Sequence, residues 1–76
     1  MNKTSLYFGE HEKRFHRAFM ALKEIEAALT EKSKMSFSEA EAIAHKHGSR
    51  LENVISIIDL APLCGVDEKA KEIVCL

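Results

Sequence analysis

Hydrophobic residues recur along most of the chain at the three- and four-residue spacing of amphipathic helices. The longest run of this pattern covers residues 10–31 and predicts the longest helix of the protein, with Lys, Arg and Glu on most of its other faces. We expect its apolar stripe to carry one side of the core. The stripe consists of Phe15, Ala18, Phe19, Leu22, Ile25 and Leu29.

A capping box indicates the start of a second helix. Ser36 is followed three residues later by Glu39, the spacing at which two side chains satisfy each other's backbone amides. The apolar positions that follow predict a helix over residues 37–47, joined to the first by a connector at residues 30–34. Because helices joined by so few residues usually run antiparallel, we expect this helix to pack back on the first.

Gly48 is placed to end the second helix, because glycine adopts the left-handed conformation at low steric cost. Ser49 with Glu52 repeats the capping box at once, which predicts a third helix over residues 50–60 with almost no loop before it. The third helix has a broad apolar arc, so we expect it at the centre of the core. The two helices together form a predicted helix-turn-helix corner.

The residues after the corner predict a turn and a short last helix. Pro62 lacks a backbone donor and biases the residue before it away from helix. Asp67 can then cap a helix through residues 68–74. The sequence therefore predicts one all-α domain over residues 1–76, a small helical bundle of three main helices plus a short C-terminal helix, with residues 1–9 as an N-terminal arm.

Composition and charge are those of one small globular domain. The chain has 76 residues, of which 46% are hydrophobic and 30% charged. A core of this size is small, and such domains often gain stability from a second copy of themselves. The formal charge is −1, which gives no general attraction to nucleic acid or anionic lipid. Residues 1–34 carry a net +2 and residues 35–76 a net −3, so the corner lies in the acidic part.

The sequence favours a cytoplasmic location and reduced cysteines. No long apolar run follows Met1, so neither a signal peptide nor a membrane span is expected. The two cysteines, Cys64 and Cys75, have no CxxC spacing. If a helix lies between them, their backbones are too far apart for a disulfide, so we expect two small reduced hydrophobes.

The corner resembles the helix-turn-helix of bacterial and phage repressors over residues 40–58. Ala44, Gly48, Val54 and Ile57 have the spacing that this family uses for its tight turn and for packing between its helices. The resemblance implies a DNA-binding transcription regulator, acting as a dimer, whose third helix faces the major groove.

The outward face of the third helix argues for a different function. It carries Glu52 and Asp59, and carboxylates repel the phosphates that supply much of the affinity for DNA. DNA binding is therefore the alternative hypothesis. The residues that would contact DNA are Lys13, Arg14, Arg17, Lys46, Arg50 and Asn53.

The sequence predicts no catalytic, cofactor or metal site. Two Glu–His pairs four residues apart, Glu12 with His16 and Glu41 with His45, are read as charge pairing on exposed helix faces. A zinc site would need more convergent ligands. His47 falls within the apolar stripe near a helix end, where we expect a half-buried histidine hydrogen-bonded to a backbone carbonyl; a pH-sensitive contact is the other reading.

The preferred hypothesis is a small non-enzymatic protein–protein interaction module: a regulator, inhibitor or assembly factor, with a homodimer as one form. Its partner is expected to be another protein rather than nucleic acid or a membrane. The predicted contact residues are the apolar or aromatic groups, and the histidine beside them, that the core accounts for least: Tyr7, Phe8, His16 and Met20.

Overall fold

A computed structural model describes the backbone of residues 3–76 and the side chains of residues 12–76. Three α-helices, one short 3-10 turn and three strands follow one another along the described chain. Their order is α1 Lys3–Lys32, β1 Lys34–Ser36, α2 Phe37–Lys46, α3 Leu51–Ser56, the 3-10 turn Ile58–Leu60, β2 Cys64–Asp67 and β3 Glu72–Cys75. The strands form one antiparallel sheet in the order β1-β3-β2.

The expectation of an all-α bundle is wrong, because the predicted last helix is a β-hairpin. Val66 pairs with Ile73 across β2 and β3, and these β-branched side chains fit a pleated surface better than a helix. Asp67 does not cap a helix. Its side chain accepts a hydrogen bond from the amide of Ala70 at 3.1 Å and so closes the turn between the strands.

The predicted connector after the first helix also contributes a strand. The helix α1 continues to Lys32, and Ser33 then takes a positive φ of 70° that turns the chain into β1. Met35 in β1 pairs with Ile73 in β3, and both side chains are buried. The sheet is therefore assembled from segments that lie far apart in sequence.

The helix-turn-helix corner lies where the sequence predicts it. The Ser36 hydroxyl accepts a hydrogen bond from the Glu39 amide at 3.1 Å, which confirms the first N-cap. Gly48 has a φ of +76°, which confirms the left-handed turn. The third helix is shorter than expected, because α3 ends at Ser56.

The second capping box is not formed. The N-cap of α3 is Arg50, and it has no side-chain capping bond. Ser49 is buried instead, and its hydroxyl has no hydrogen-bond partner within residues 12–76. The same sequence motif thus produces a satisfied cap at one helix and a buried unsatisfied hydroxyl before the next.

The core lies between α1, the corner and one face of the sheet. Leu22 and Ile25 of α1 are fully buried, and so are Ala40 and Ala44 of α2. The small side chains on α2 let it pack closely against α1. Val54 of α3 completes the centre of this cluster.

Only part of α1 belongs to this core. Thirty residues at about 1.5 Å each make a helix about 45 Å long, which matches the longest dimension of the molecule, 45 Å. Burial along α1 begins at Ala18, while all side chains of residues 12–17 are exposed. We call residues 3–17 the projecting half and residues 18–32 the embedded half.

The stretch expected as an N-terminal arm is helical from Lys3 onward. Within the described chain, no helix combines the length and apolarity that crossing a membrane requires.

Candidate interaction surface

The most exposed part of the α1 stripe is Phe15. It is 46% exposed, although it begins the same apolar stripe that buries Leu22 about two turns later and Ile25 about three turns later. The ring stacks on Phe19 at a centroid distance of 5.9 Å, and Lys23 holds its ammonium group 5.9 Å from the Phe19 ring. Phe15 thus has one aromatic neighbour on its own helix, and nearly half of its surface remains in solvent.

A groove of about 210 Å³ lies next to Phe15, between α1 and α3. Ala18 and Ile57 give it an apolar floor, and Arg14 provides a positive charge at its edge. Its remaining lining residues are Phe15, Asn53 and Ser56. A groove of this kind accepts one apolar side chain, and polar groups at its rim can orient what enters.

Two of the four residues predicted as the partner surface have described side chains. His16 and Met20 are both exposed and lie four residues apart on one face of α1, a face different from that of Phe15. Tyr7 and Phe8 belong to the projecting half of α1, but their side chains lie outside the described residues. Phe8 is two turns of helix before Phe15.

Sequence reasoning missed Phe15 as a surface residue because it assigned the whole stripe to the core. The available signal was its position at the end of the stripe. A 76-residue chain can build only a small core, and that core cannot cover a stripe running the length of a 30-residue helix.

One of the predicted DNA-contacting cations is held by a carboxylate of α1. The Lys46 ammonium lies 2.5 Å from one oxygen of Glu24, and the His47 ring nitrogen Nε2 lies 2.8 Å from the other. The hydrogen bond from Lys46, followed by that from His47, lowers the pKa of Glu24 below its ordinary range. Glu24 therefore joins α1 to the end of α2, and a phosphate would have to compete with this carboxylate for Lys46. His47 is half-buried as expected, but its ring contacts a carboxylate rather than a backbone carbonyl.

The remaining predicted DNA contacts lie on α1 and at the start of α3. Arg50 lies 3.8 Å from Glu52 on the exposed start of α3. Arg17 passes over the turn, where its Cδ is 3.2 Å from the position a Cβ would take on Gly48. Arg14 and Asn53 meet in the groove between α1 and α3. Lys13 is exposed on the projecting half.

Two further ion pairs stabilise the corner without suggesting a binding site. Lys32 donates a hydrogen bond to Glu39, which connects the end of α1 to the start of α2 and lowers the pKa of Glu39. His45 lies 3.3 Å from Glu41 one turn earlier, the surface pairing that their spacing predicts. Among the side chains from residue 12 onward, no group of three His, Cys, Asp or Glu residues is arranged to hold a metal ion.

The topology defines the class of fold. A helix, a strand, two helices in a tight corner and a β-hairpin follow one another, and β1 pairs with β3, so the fold mixes helices with one antiparallel sheet. Comparisons with protein-family models, with curated proteins and with solved structures find no match to this chain. Because one fold supports many functions, the function has to be argued from the surfaces of this chain alone.

Proposed function

We propose that this chain is a non-enzymatic protein–protein interaction module that assembles through the projecting half of α1, with a second copy of the chain as its partner. The observation that supports the proposal is the continuation of α1 beyond its own core. The helix begins at Lys3, yet its first buried described side chain is Ala18.

The energetics of helices favour a partner for this segment. A helix shorter than about 12–15 residues is marginal in water by itself, and most helix stability in proteins comes from packing an apolar face. Phe15 offers such a face. Burying a phenylalanine side chain fully is worth roughly 1.5–3 kcal/mol, and much of that is still available at a ring that is 46% exposed.

The shape and charge of the surface favour a second copy as the occupant. A two-fold interface must be self-complementary, and here an exposed ring lies directly beside a groove with an apolar floor. Glu12 precedes the basic residues Lys13, Arg14 and Arg17 along α1. When two such helices run antiparallel, the acidic end of each faces the basic end of the other.

Sedimentation velocity over a range of protein concentrations tests this proposal. We expect the wild-type chain to shift from monomer to dimer as concentration rises, and Phe15→Ala to weaken the dimer at least tenfold. Leu63→Ala is the matched control, because Leu63 is 54% exposed but lies on the turn before β2. A wild-type chain that stays monomeric at every concentration would contradict self-assembly, and an equal effect of both substitutions would contradict the assigned surface.

The helix-turn-helix corner supports a second candidate function, a transcription regulator that binds DNA through this corner. Arg14 and Asn53 line the same groove, and Asn53 has the side chain that pairs with adenine. Glu52 and Asp59 are exposed on the same helical segment and oppose phosphate. An electrophoretic shift with random-sequence duplex DNA at low salt separates the candidates: retardation that fades as salt rises supports the regulator, and unretarded DNA removes it.

A further inference from the structure

The two cysteines lie directly opposite each other in the hairpin. Cys64 is the first residue of β2, Cys75 is the last residue of β3, and the two are register partners in the antiparallel pair. The expectation that their backbones are beyond disulfide range is wrong, because a hairpin and not a helix lies between them. The chain turns back after Asp67 and brings the second cysteine beside the first.

The hydrogen bonds of the hairpin show what kind of pair this is. The amide of Leu76 donates to the carbonyl of Leu63 at 2.7 Å, while the Cys64 amide donates to Ala61 and the Cys75 amide donates to Ser33. The two cysteines therefore exchange no backbone hydrogen bond. Opposed residues at such positions have Cα atoms about 4.5 Å apart and side chains on the same face of the sheet.

This spacing falls within disulfide geometry. Disulfides join Cα atoms about 4.4–6.8 Å apart, so the pair lies near the short end of the range. One of the two sulfurs is exposed, and exposed disulfides are more easily reduced than buried ones. The position therefore suits a bond that forms and breaks reversibly.

The two thiols differ in access. Cys64 is 5% exposed and belongs to the core cluster, whereas Cys75 is exposed. Burial raises the pKa of the Cys64 thiol, and the nearby Glu26 and Cys75 raise it further. Glu26 itself lies 3.5 Å from the Lys23 ammonium. The exposed thiol is therefore the one that a reagent in solution reaches first.

We propose that Cys64 and Cys75 are a dithiol pair that forms a reversible cross-strand disulfide, with Cys75 as the attacking residue and Cys64 as the resolving residue. The oxidant class is a small-molecule disulfide. No established or proposed activity of the chain uses these residues, so the inference is independent of self-assembly through α1.

The reaction proceeds by two thiol–disulfide exchanges. The Cys75 thiolate attacks one sulfur of the small-molecule disulfide, whose S–S bond breaks and releases one small thiolate. Cys64 then loses its proton to water, and its thiolate attacks the Cys75 sulfur of the mixed disulfide, which releases the second small thiolate. Two protein thiols are oxidised, and one small disulfide is reduced to two thiols. Because the Cys64 pKa is raised, the second step should become faster as the pH rises.

Mass spectrometry of the full chain equilibrated in oxidised and reduced glutathione tests the proposal. The wild type is expected to lose two hydrogens and to become resistant to alkylation, and reduced glutathione should reverse both changes. Cys64→Ser should stop at the mixed disulfide with glutathione, whereas Cys75→Ser should react at least tenfold more slowly.

Circular dichroism melting of the same samples provides the control for folding. The oxidised wild type should melt at a higher temperature than the reduced form, because closing the hairpin restricts the unfolded chain. Cys64→Ala replaces Cys64→Ser if the buried hydroxyl prevents folding, and it should also stop at the mixed disulfide. The proposal is overturned if both cysteines of the folded wild type remain open to alkylation after equilibration with oxidised glutathione. Disulfides that form only between chains would also overturn it.

Discussion

The two halves of α1 carry one continuous apolar stripe but have different surroundings. In the embedded half the stripe meets α2, α3 and the sheet, and Leu22 is fully buried. In the projecting half the same stripe reaches Phe15, which is 46% exposed. The difference shows that the periodicity of a helix states which face is apolar, while tertiary structure decides how much of that face the chain itself can cover.

Electrostatic contacts follow the same division. Glu24 in the embedded half joins Lys46 and His47 of the corner, and Lys32 at its end joins Glu39. The embedded half is therefore held by both packing and charge. The projecting half presents its described side chains to solvent, and this is the surface that we assign to a second copy.

The largest effect should come from a core truncation in the embedded half. Leu22→Ala removes a fully buried side chain and should lower the free energy of unfolding by about 2–5 kcal/mol. Phe15→Ala should cost the monomer less than about 1 kcal/mol, because its ring is already half in solvent. Urea denaturation at a concentration where the chain is monomeric measures both values. Equal losses would show that the projecting half belongs to the core.

A smaller effect of opposite sign separates the two serines of the corner. Ser36→Ala removes an observed N-cap and should cost about 1 kcal/mol of unfolding free energy. Ser49→Ala removes a buried hydroxyl that has no partner among the described side chains, so stability should stay the same or rise by up to about 1 kcal/mol. Thermal melts of both variants check the signs. If Ser49→Ala lost about 1 kcal/mol of unfolding free energy, Ser49 would have to cap α3, contrary to this account.

The smallest effect is a pH dependence carried by Glu24. Its pKa is lowered in the folded state, so its contribution is complete above the unfolded value of about 4.3 and is lost as the pH falls below it. Glu24→Gln should therefore lower the melting temperature at neutral pH and reduce the loss of stability on acidification. Glu31→Gln, at an exposed position of α1 outside the proposed surface, is the matched control. A curve of melting temperature against pH that is identical in wild type and Glu24→Gln would exclude this role.

Sequence reasoning reached α1, α2 and the corner because local signals determine them. The Ser36 cap, the glycine at 48 and the long periodic stripe act within a few residues, and each is formed where the sequence predicts it. The prediction from the Ser49 motif was wrong, because tertiary packing buries Ser49 and the N-cap of α3 is Arg50.

The sheet could not be predicted in the same way. Val66, Ile73 and Val74 satisfy the spacing of a helix as well as that of a hairpin, and their position in strands depends on pairing with β1, nearly forty residues earlier. The residues predicted from the sequence as the partner surface and the surface proposed here both lie on α1, and the two sets of side chains differ. Phe15 was assigned to the core, since the sequence does not show where the core ends.

Hydrogen exchange at two protein concentrations tests the central claim most directly. If a second copy covers the projecting half, the amides of residues 12–17 should gain protection as concentration rises, while those of the embedded half keep the same protection. Phe15→Ala should abolish the gain. The account is contradicted if the amides of the projecting half exchange at the same rate at both concentrations while the embedded half is fully protected.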